Sequence, residues 1–336
     1  MPRTELYPAI EPYESGHLQV TQLHSIYWEE CGNPDGVPVL FLHGGPGAGF
    51  SPGHRRFFDP AFYRIVLVDQ RGAGRSAPYA EIQDNDTQTL IGDLETLREF
   101  LEVDQWLLFG GSWGSSLALA YAESHPASCA GLILRGIFLC RKQEVDWFMT
   151  GMRQFFPAAW DDFMAHLTTA ERSDPLDAYY RRLCDPDPAV HMPAAAAWSR
   201  YEASCSTLIP SPSTIEAMSS PETSLALSRL EAHYFVNNLF LREGQLLEEA
   251  TRLRGLPGII VQGRYDVVCP PSSAWDLSKA WPEAELIIVP DAGHSAAEDG
   301  TMRELVAATE KFKDRQPMAK TARKSAPKTS KPARTG

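Results

Sequence analysis

A chain of 336 residues, 43% hydrophobic and 10% aromatic, has the content of a packed globular protein and the length for one large α/β domain with an insertion. No apolar run reaches the ~20 residues of a membrane span, and residues 1–5 lack the basic-then-apolar pattern of a signal peptide; a cytoplasmic protein without a membrane partner is expected. The net charge of −12 is uneven: nine Lys/Arg against one acid from Lys311 onward leave about −20 on the preceding residues, which argues against nucleic acid as the main partner.

Residues 17–31 are of mixed polarity and suggest an antiparallel edge hairpin. Six runs follow that are apolar throughout, at 37–42, 64–68, 106–109, 131–134, 258–261 and 284–289. Such runs suit strands buried on both faces, and the helical stretches between them predict βαβ units in a parallel sheet. The rhythm breaks after Arg135. From Cys140 to about Arg252, aromatics and alanines recur at helical spacing, and prolines from Pro157 to Pro221 divide the stretch into short helices. The expected organisation is an α/β core in two parts (1–139 and 253–314) and a helical cap over 140–252. A basic tail over 315–336, rich in Lys, Pro, Ser, Thr and Ala, is expected to be disordered.

Gly110-Gly111-Ser112-Trp113-Gly114 stands behind the third run and ahead of the small-residue stretch Leu117-Ala118-Leu119-Ala120-Tyr121-Ala122. Strand, tight turn and helix around Gly-x-Ser-x-Gly describe a nucleophile elbow, against the blander reading of a glycine-rich loop. A serine hydroxyl is a poor nucleophile until an imidazole takes its proton, and the imidazole needs a carboxylate to fix its tautomer. In an α/β hydrolase the acid and then the histidine follow the serine on loops after late strands. Asp266, in Gly263-Arg264-Tyr265-Asp266, and His294, in Asp291-Ala292-Gly293-His294, occupy those places. Asp291 is too near His294 to orient it from a separate loop, and Asp276 and Asp299 read as solvated helix residues. Among the other histidines, His17 and His24 fall in the hairpin and His125 precedes a proline. His54, His166, His191 and His233 read as surface or cap residues.

His43-Gly44-Gly45-Pro46-Gly47, directly after the first run, has the position of an oxyanion loop. It would offer the Gly44 or Gly45 N–H beside that of Trp113. No Gly-Lys-Ser/Thr follows, which excludes a phosphate-binding P-loop. The turn Asp69-Gln70-Arg71-Gly72-Ala73-Gly74-Arg75-Ser76 reads as scaffolding, with its Asp and Arg residues paired. Six scattered cysteines read as reduced thiols, without metal-ligand spacing and with no cofactor implied. Cys269, three residues past Asp266, is either a buried inert thiol or part of the site wall.

At this point the chain resembles the proline iminopeptidases, α/β hydrolases with a helical cap. The resemblance rests on Leu6–Tyr13, Ile26–Pro34, His43–Gly47 with Asp69–Ser76, Gly110–Ser116, Gly263–Asp266 and Ala292–His294, and reaches from the N-terminus to about residue 310. It implies release of proline from small peptides with a free N-terminal proline. It also implies that Glu202, in Ser199-Arg200-Tyr201-Glu202, and Glu231, in Glu231-Ala232-His233-Tyr234-Phe235, hold the substrate's cationic nitrogen. Arg135, after the fourth run, matches the family's arginine. Tyr201 stands where the family more often has tryptophan. A buried carboxylate pair is unfavourable until a cation enters, which suits a charged N-terminus. Phe138, Tyr234, Phe235 and Trp147 are candidate walls for a pyrrolidine ring, with cap core as the alternative for Trp147.

Two other functions use the same residues. A carboxylesterase or lipase-like hydrolase predicts fast short-chain ester turnover and indifference to Glu231→Gln. A non-catalytic binding protein of the same fold predicts no reaction of Ser112 with a fluorophosphonate. Oligomeric state is left open.

Overall fold

Eight strands form one sheet in the computed structural model, which describes residues 3–314; the tail expected over 315–336 lies outside the described residues. They are β1 (Glu14–Gln19), β2 (Ser25–Gly32), β3 (Val37–Leu42), β4 (Tyr63–Asp69), β5 (Trp106–Ser112), β6 (Cys129–Ile137), β7 (Gly258–Gly263) and β8 (Ala284–Val289). The order across the sheet is β1-β2-β4-β3-β5-β6-β7-β8. β2 runs antiparallel to β1 and to β4, and all pairs from β4 to β8 are parallel. The expected hairpin is therefore β1–β2, and the six apolar runs fall within β3 to β8.

Alternation along the strands builds two cores, one on each face. Leu40, Leu42, Val66, Val68, Leu108, Leu132, Leu134 and Ile260 face one way, onto α1 (Thr87–Phe100), α2 (Trp113–Ser124) and the helices beyond them. Val39, Phe41, Ile65, Leu67, Phe109, Ile133 and Val261 face the other way, with Leu305, Val306 and Phe312 of the C-terminal helix. Both sets are needed because a parallel sheet is covered on both sides.

Between β6 and β7 the described chain carries helices and no strand. The α-helices here are α3 (Lys142–Asp146), α4 (Pro157–Ala165), α5 (Pro175–Leu183), α6 (Pro188–Cys205), α7 (Pro212–Met218), α8 (Pro221–Val236) and α9 (Gln245–Glu248). Five of them begin on the prolines that punctuate the sequence, a residue whose fixed φ and missing N–H suit the first helical position. Trp198, Tyr179, Tyr201 and Phe163 are buried together where α4, α5 and α6 meet. α10 (Pro271–Ala280) and α11 (Asp299–Lys313) complete the described residues. Among the described residues no helix is long and apolar enough to cross a membrane.

Candidate active site

Loops leave the carboxyl ends of β3, β5, β6, β7 and β8 on one side of the sheet. They converge where the strand order reverses, with β3 between β4 and β5, a topology that opens a crevice at the strand ends. Ser112 ends β5 and immediately precedes α2, at φ 57° and ψ −130°. Few L-residues adopt that conformation, and tight packing of strand, helix and neighbouring loop enforces it. A Cβ on Gly110 would collide with the Gly114 carbonyl, and one on Gly114 with the Leu42 carbonyl.

Asp266 follows β7 and His294 follows β8, and both are buried. His294 Nδ1 lies 3.0 and 2.9 Å from the two Asp266 carboxylate oxygens. That carboxylate also accepts from Cys269 N at 2.8 Å and Gln262 Nε2 at 3.1 Å. A proton on Nδ1 leaves Nε2 as the acceptor. Arg135 Nη1 stands there at 3.1 Å and also donates to the His294 carbonyl at 2.7 Å. Ser112 also shares a small cavity with Cys269. Serine and histidine thus line one cavity, with the imidazole acceptor occupied by arginine. Burial pushes the Cys269 thiol well above its ordinary pKa, with the Asp266 charge adding to it, so it stays protonated and inert near neutral pH.

Gly44 lies against Ser112, since a Cβ added there would sit 3.3 Å from the serine Cβ. Trp113 is the first residue of α2, where N–H groups lack intrahelical acceptors. One residue joins these two halves. Gln70 donates from Nε2 to the His43 carbonyl at 2.9 Å and from its backbone N to His43 Nε2 at 3.0 Å. Its Oε1 accepts from Trp113 Nε1 at 2.8 Å. The His43 ring nitrogen Nδ1 then meets Gly44 O at 2.9 Å, and burial keeps this imidazole neutral. The scaffold expected around Gln70 is present in part: Arg75 pairs with Asp69 at 2.8 Å, whereas Arg71 pairs with Asp93 on α1.

Two cavities meet at Ser112 and Gly45. The smaller, about 20 Å³, is walled by Phe138, Glu144, Phe148, Glu231, Phe235, Val268 and Cys269. The larger, about 290 Å³, reaches His294, Arg135, Glu202 and His54. Glu231 Oε2 accepts from Trp198 Nε1 at 2.6 Å, and Glu202 Oε2 is buried without a hydrogen-bond partner. The two carboxyls interact directly. Burial raises the pKa of both, and the Glu202 charge raises that of Glu231 further. The pair is therefore short of its full negative charge until a cation arrives.

Phe138, Phe235, Glu202, Glu231 and Arg135 thus line one cavity or the other. Tyr234 does not: its ring packs edge-on against Trp113 and its hydroxyl donates to Asn85 Oδ1 at 2.9 Å, so it backs the site rather than walls it. Trp147 likewise turns away, donating to Val267 O at 2.6 Å. His54, expected as a surface or cap residue, is half-buried and stacked on Phe41 at 4.4 Å. Its burial depends on contacts across the chain, which the polar neighbours Arg55 and Arg56 conceal. Phe148 and Glu298 carry no local sequence signal, and Gln70 reads only as part of the scaffold turn. Glu298 accepts from Gly293 N and from Leu208 N, each at 2.8 Å, while Ser206 O accepts from His294 N and Ser295 N at 3.1 and 2.9 Å. The helical segment is thereby tied to the histidine loop. Among the described residues no group of three or more His, Cys, Asp or Glu is placed to hold a metal ion.

Sheet order and strand-end loops define an α/β hydrolase, and the family model for the alpha/beta hydrolase fold matches residues 37–301. Curated relatives include a probable proline iminopeptidase of Leptolyngbya boryana, 52% identical over 92% of this chain and 97% of its own length. The proline iminopeptidase of Arabidopsis thaliana is 53% identical, over 92% of this chain and 82% of that one, and that of Xylella fastidiosa (strain Temecula1) 50%, over 91% and 99%. The chain belongs to the proline iminopeptidase family. Among solved structures, a putative lipase from Acinetobacter baumannii superposes with a TM-score of 0.62 at 17% identity, covering 90% of this chain and 93% of that one. A putative aryl esterase from Burkholderia cenocepacia gives 0.61 at 16%, over 90% and 98%. These two share the fold.

Proposed function

We propose that the chain is a serine exopeptidase that releases N-terminal proline from peptides through an acyl-enzyme. The observation that carries this reading is the buried carboxyl pair of Glu202 and Glu231 at the two cavities that meet on Ser112. An ester hydrolase has no use for a desolvated acidic pair beside its nucleophile, whereas a protonated imino nitrogen supplies the cation that the pair lacks.

In this mechanism His294 Nε2 exchanges Arg135 for the Ser112 hydroxyl and takes its proton as Oγ attacks the prolyl carbonyl. Asp266 holds the imidazole by Nδ1 and stabilises the imidazolium. The Trp113 N–H and that of Gly44 or Gly45 receive the oxyanion, each worth about 10²–10³ in rate. His294 then protonates the leaving nitrogen, the shortened peptide departs, and water repeats the sequence to free proline. The smaller cavity, as it stands, has room for about one water. Entry of the pyrrolidine ring therefore requires its walls to part, and Glu144, Phe148, Glu231 and Phe235 belong to the segment 140–252 that we propose as the cap. Small peptides in the cytoplasm complete the proposal, a compartment that suits six unpaired cysteines.

The test compares a chromogenic prolyl anilide with its N-acetylated form. Loss of the cation on acetylation lowers kcat/KM by roughly 10²-fold or more. Equal cleavage of the two overturns the cationic anchor.

A further inference from the structure

A serine hydrolase must hold its two reaction products on opposite sides of the nucleophile. The group that protonates the leaving nitrogen therefore marks the leaving side. His294 lines the 290 Å³ cavity and is absent from the walls of the 20 Å³ one, while Ser112 and Gly45 belong to both. With proline on the Phe138 and Glu231 side, the residue that follows it must enter the larger cavity.

The far end of that cavity is apolar. Phe41, Phe57, Phe109 and Leu305, the last on α11, supply its apolar wall. Their rings are packed together, Phe41 on Phe109 at 5.8 Å and Phe57 on Phe109 at 5.5 Å. His54 stacks over Phe41, and its Nδ1 accepts from Ser51 N at 3.0 Å, so its proton is on Nε2. Burial, with His43 and Arg135 nearby, pushes the His54 pKa down to about 4, and the ring carries no charge near neutral pH. Arg135 and Glu202 also line the cavity, and Arg135 is held by His294.

We propose that this recess is the subsite for the residue after proline, and that it selects peptides in which that residue is bulky and apolar or aromatic. The proposal rests on the exopeptidase reading above. It adds a preference that the acidic pair cannot supply, because the pair touches only the N-terminal end of a substrate. Apolar burial in a preformed aromatic recess supplies the gain, and a charged side chain placed there would be desolvated without a partner.

Dipeptide amides Pro-X-NH2, with X as Phe, Leu, Gly, Lys or Glu, test it through kcat/KM for proline release. Phe and Leu are expected to exceed Gly by about tenfold or more, with Lys and Glu no better than Gly. Ala296, which also lines the larger cavity, and Leu305 can each be enlarged: Ala296→Leu and Leu305→Phe narrow the recess, and in each the Phe-to-Gly ratio collapses toward unity whatever the absolute rate. The ratio within one preparation is insensitive to partial misfolding. In an independent arm, phenylalaninamide or glycinamide is added at equal concentration to wild-type enzyme turning over a prolyl ester. The amine attacks the acyl carbonyl, Ser112 Oγ leaves and regains a proton through His294, and Pro-X-NH2 forms in place of free proline. Phenylalaninamide is expected to capture the larger share. Equal kcat/KM across X together with equal capture overturns the subsite and leaves the exopeptidase reading standing. Release of no proline from any of the five peptides overturns that reading itself.

Discussion

Hydrogen-bond geometry at Gln70 links two donors that no single loop could align. One side-chain amide spans from the His43 carbonyl to the Trp113 indole, and its backbone N fixes the His43 ring, all of it buried. Gln70→Leu leaves the His43 carbonyl and the Trp113 indole without this partner and lets the proposed oxyanion loop drift from α2. It is expected to lower kcat by about tenfold to 10², within the range for losing an oxyanion donor, with little change in KM. A prolyl boronic acid, which mimics the tetrahedral intermediate, weakens in parallel, while inhibition by product proline does not. Parallel loss of both affinities would make Gln70 a merely structural residue. The acidic pair makes a second residue-scale prediction. Burial holds the Glu202 carboxyl up to about 7, so KM for a cationic substrate falls as pH rises through that value. It rises again when the substrate amine deprotonates, near 8 for an ordinary α-amino group. Glu231→Gln removes a charged contact of about 1.5–3 kcal/mol, or roughly 10- to 10²-fold in kcat/KM, and flattens the acidic limb. An unchanged pH profile in that variant would count against the pair. Ser112, Asp266 and His294 were legible because each sits in a short local pattern after a strand. Gln70 and His54 were not, since their partners lie 27 and 43 positions from Gln70 and across the β3–β4 connection for His54.

At the scale of elements, α2 carries an unusual burden. It is buried along almost its whole length, and near its end Glu123 holds both carboxylate oxygens buried without a hydrogen-bond partner. Burial, with the Glu249 charge adding to it, raises its pKa to about 9. The unfolded carboxyl ionises near its ordinary value while the folded one keeps its proton. The native state then binds more protons than the unfolded one from about pH 4.5 to 9, and stability falls as pH rises through that window. Glu123→Gln removes the titration. Urea unfolding at pH 5 and pH 8 is expected to show the variant gaining on wild type at pH 8 by an amount of the order of a few kcal/mol. An equal difference at the two pH values would contradict a protonated Glu123. The strands show what patterning conveys. Six apolar runs marked β3 to β8, yet β5 continues to Ser112 and β6 reaches Ile137 through Arg135 and Gly136, residues chosen by the site rather than by the core. Likewise the aromatic spacing announced helices after β6, but it did not show that Tyr234 turns to Asn85 and Trp147 to Val267.

Over the whole molecule, a sheet covered on both faces presents its loops on one edge, and the helical segment is fastened there. Ser206 and Glu298 bind the segment to the same loop that carries His294, and Glu202 lies four residues before Ser206, on α6. With the roles proposed above for Glu202 and His294, this tie would join substrate choice to proton transfer in an enzyme whose smaller cavity must open for proline. Fold class and the division of labour between sheet and helices were readable from periodicity, whereas the two cavities depend on contacts between segments far apart in the chain. The most direct measurement is the product pattern from peptides identical except for their first residue (proline, alanine or leucine), followed by mass spectrometry over time. The account predicts that the proline-first peptide loses that one residue fastest and that no internal bond is cut. Cleavage within the chain, or leucine released as readily as proline, would contradict it.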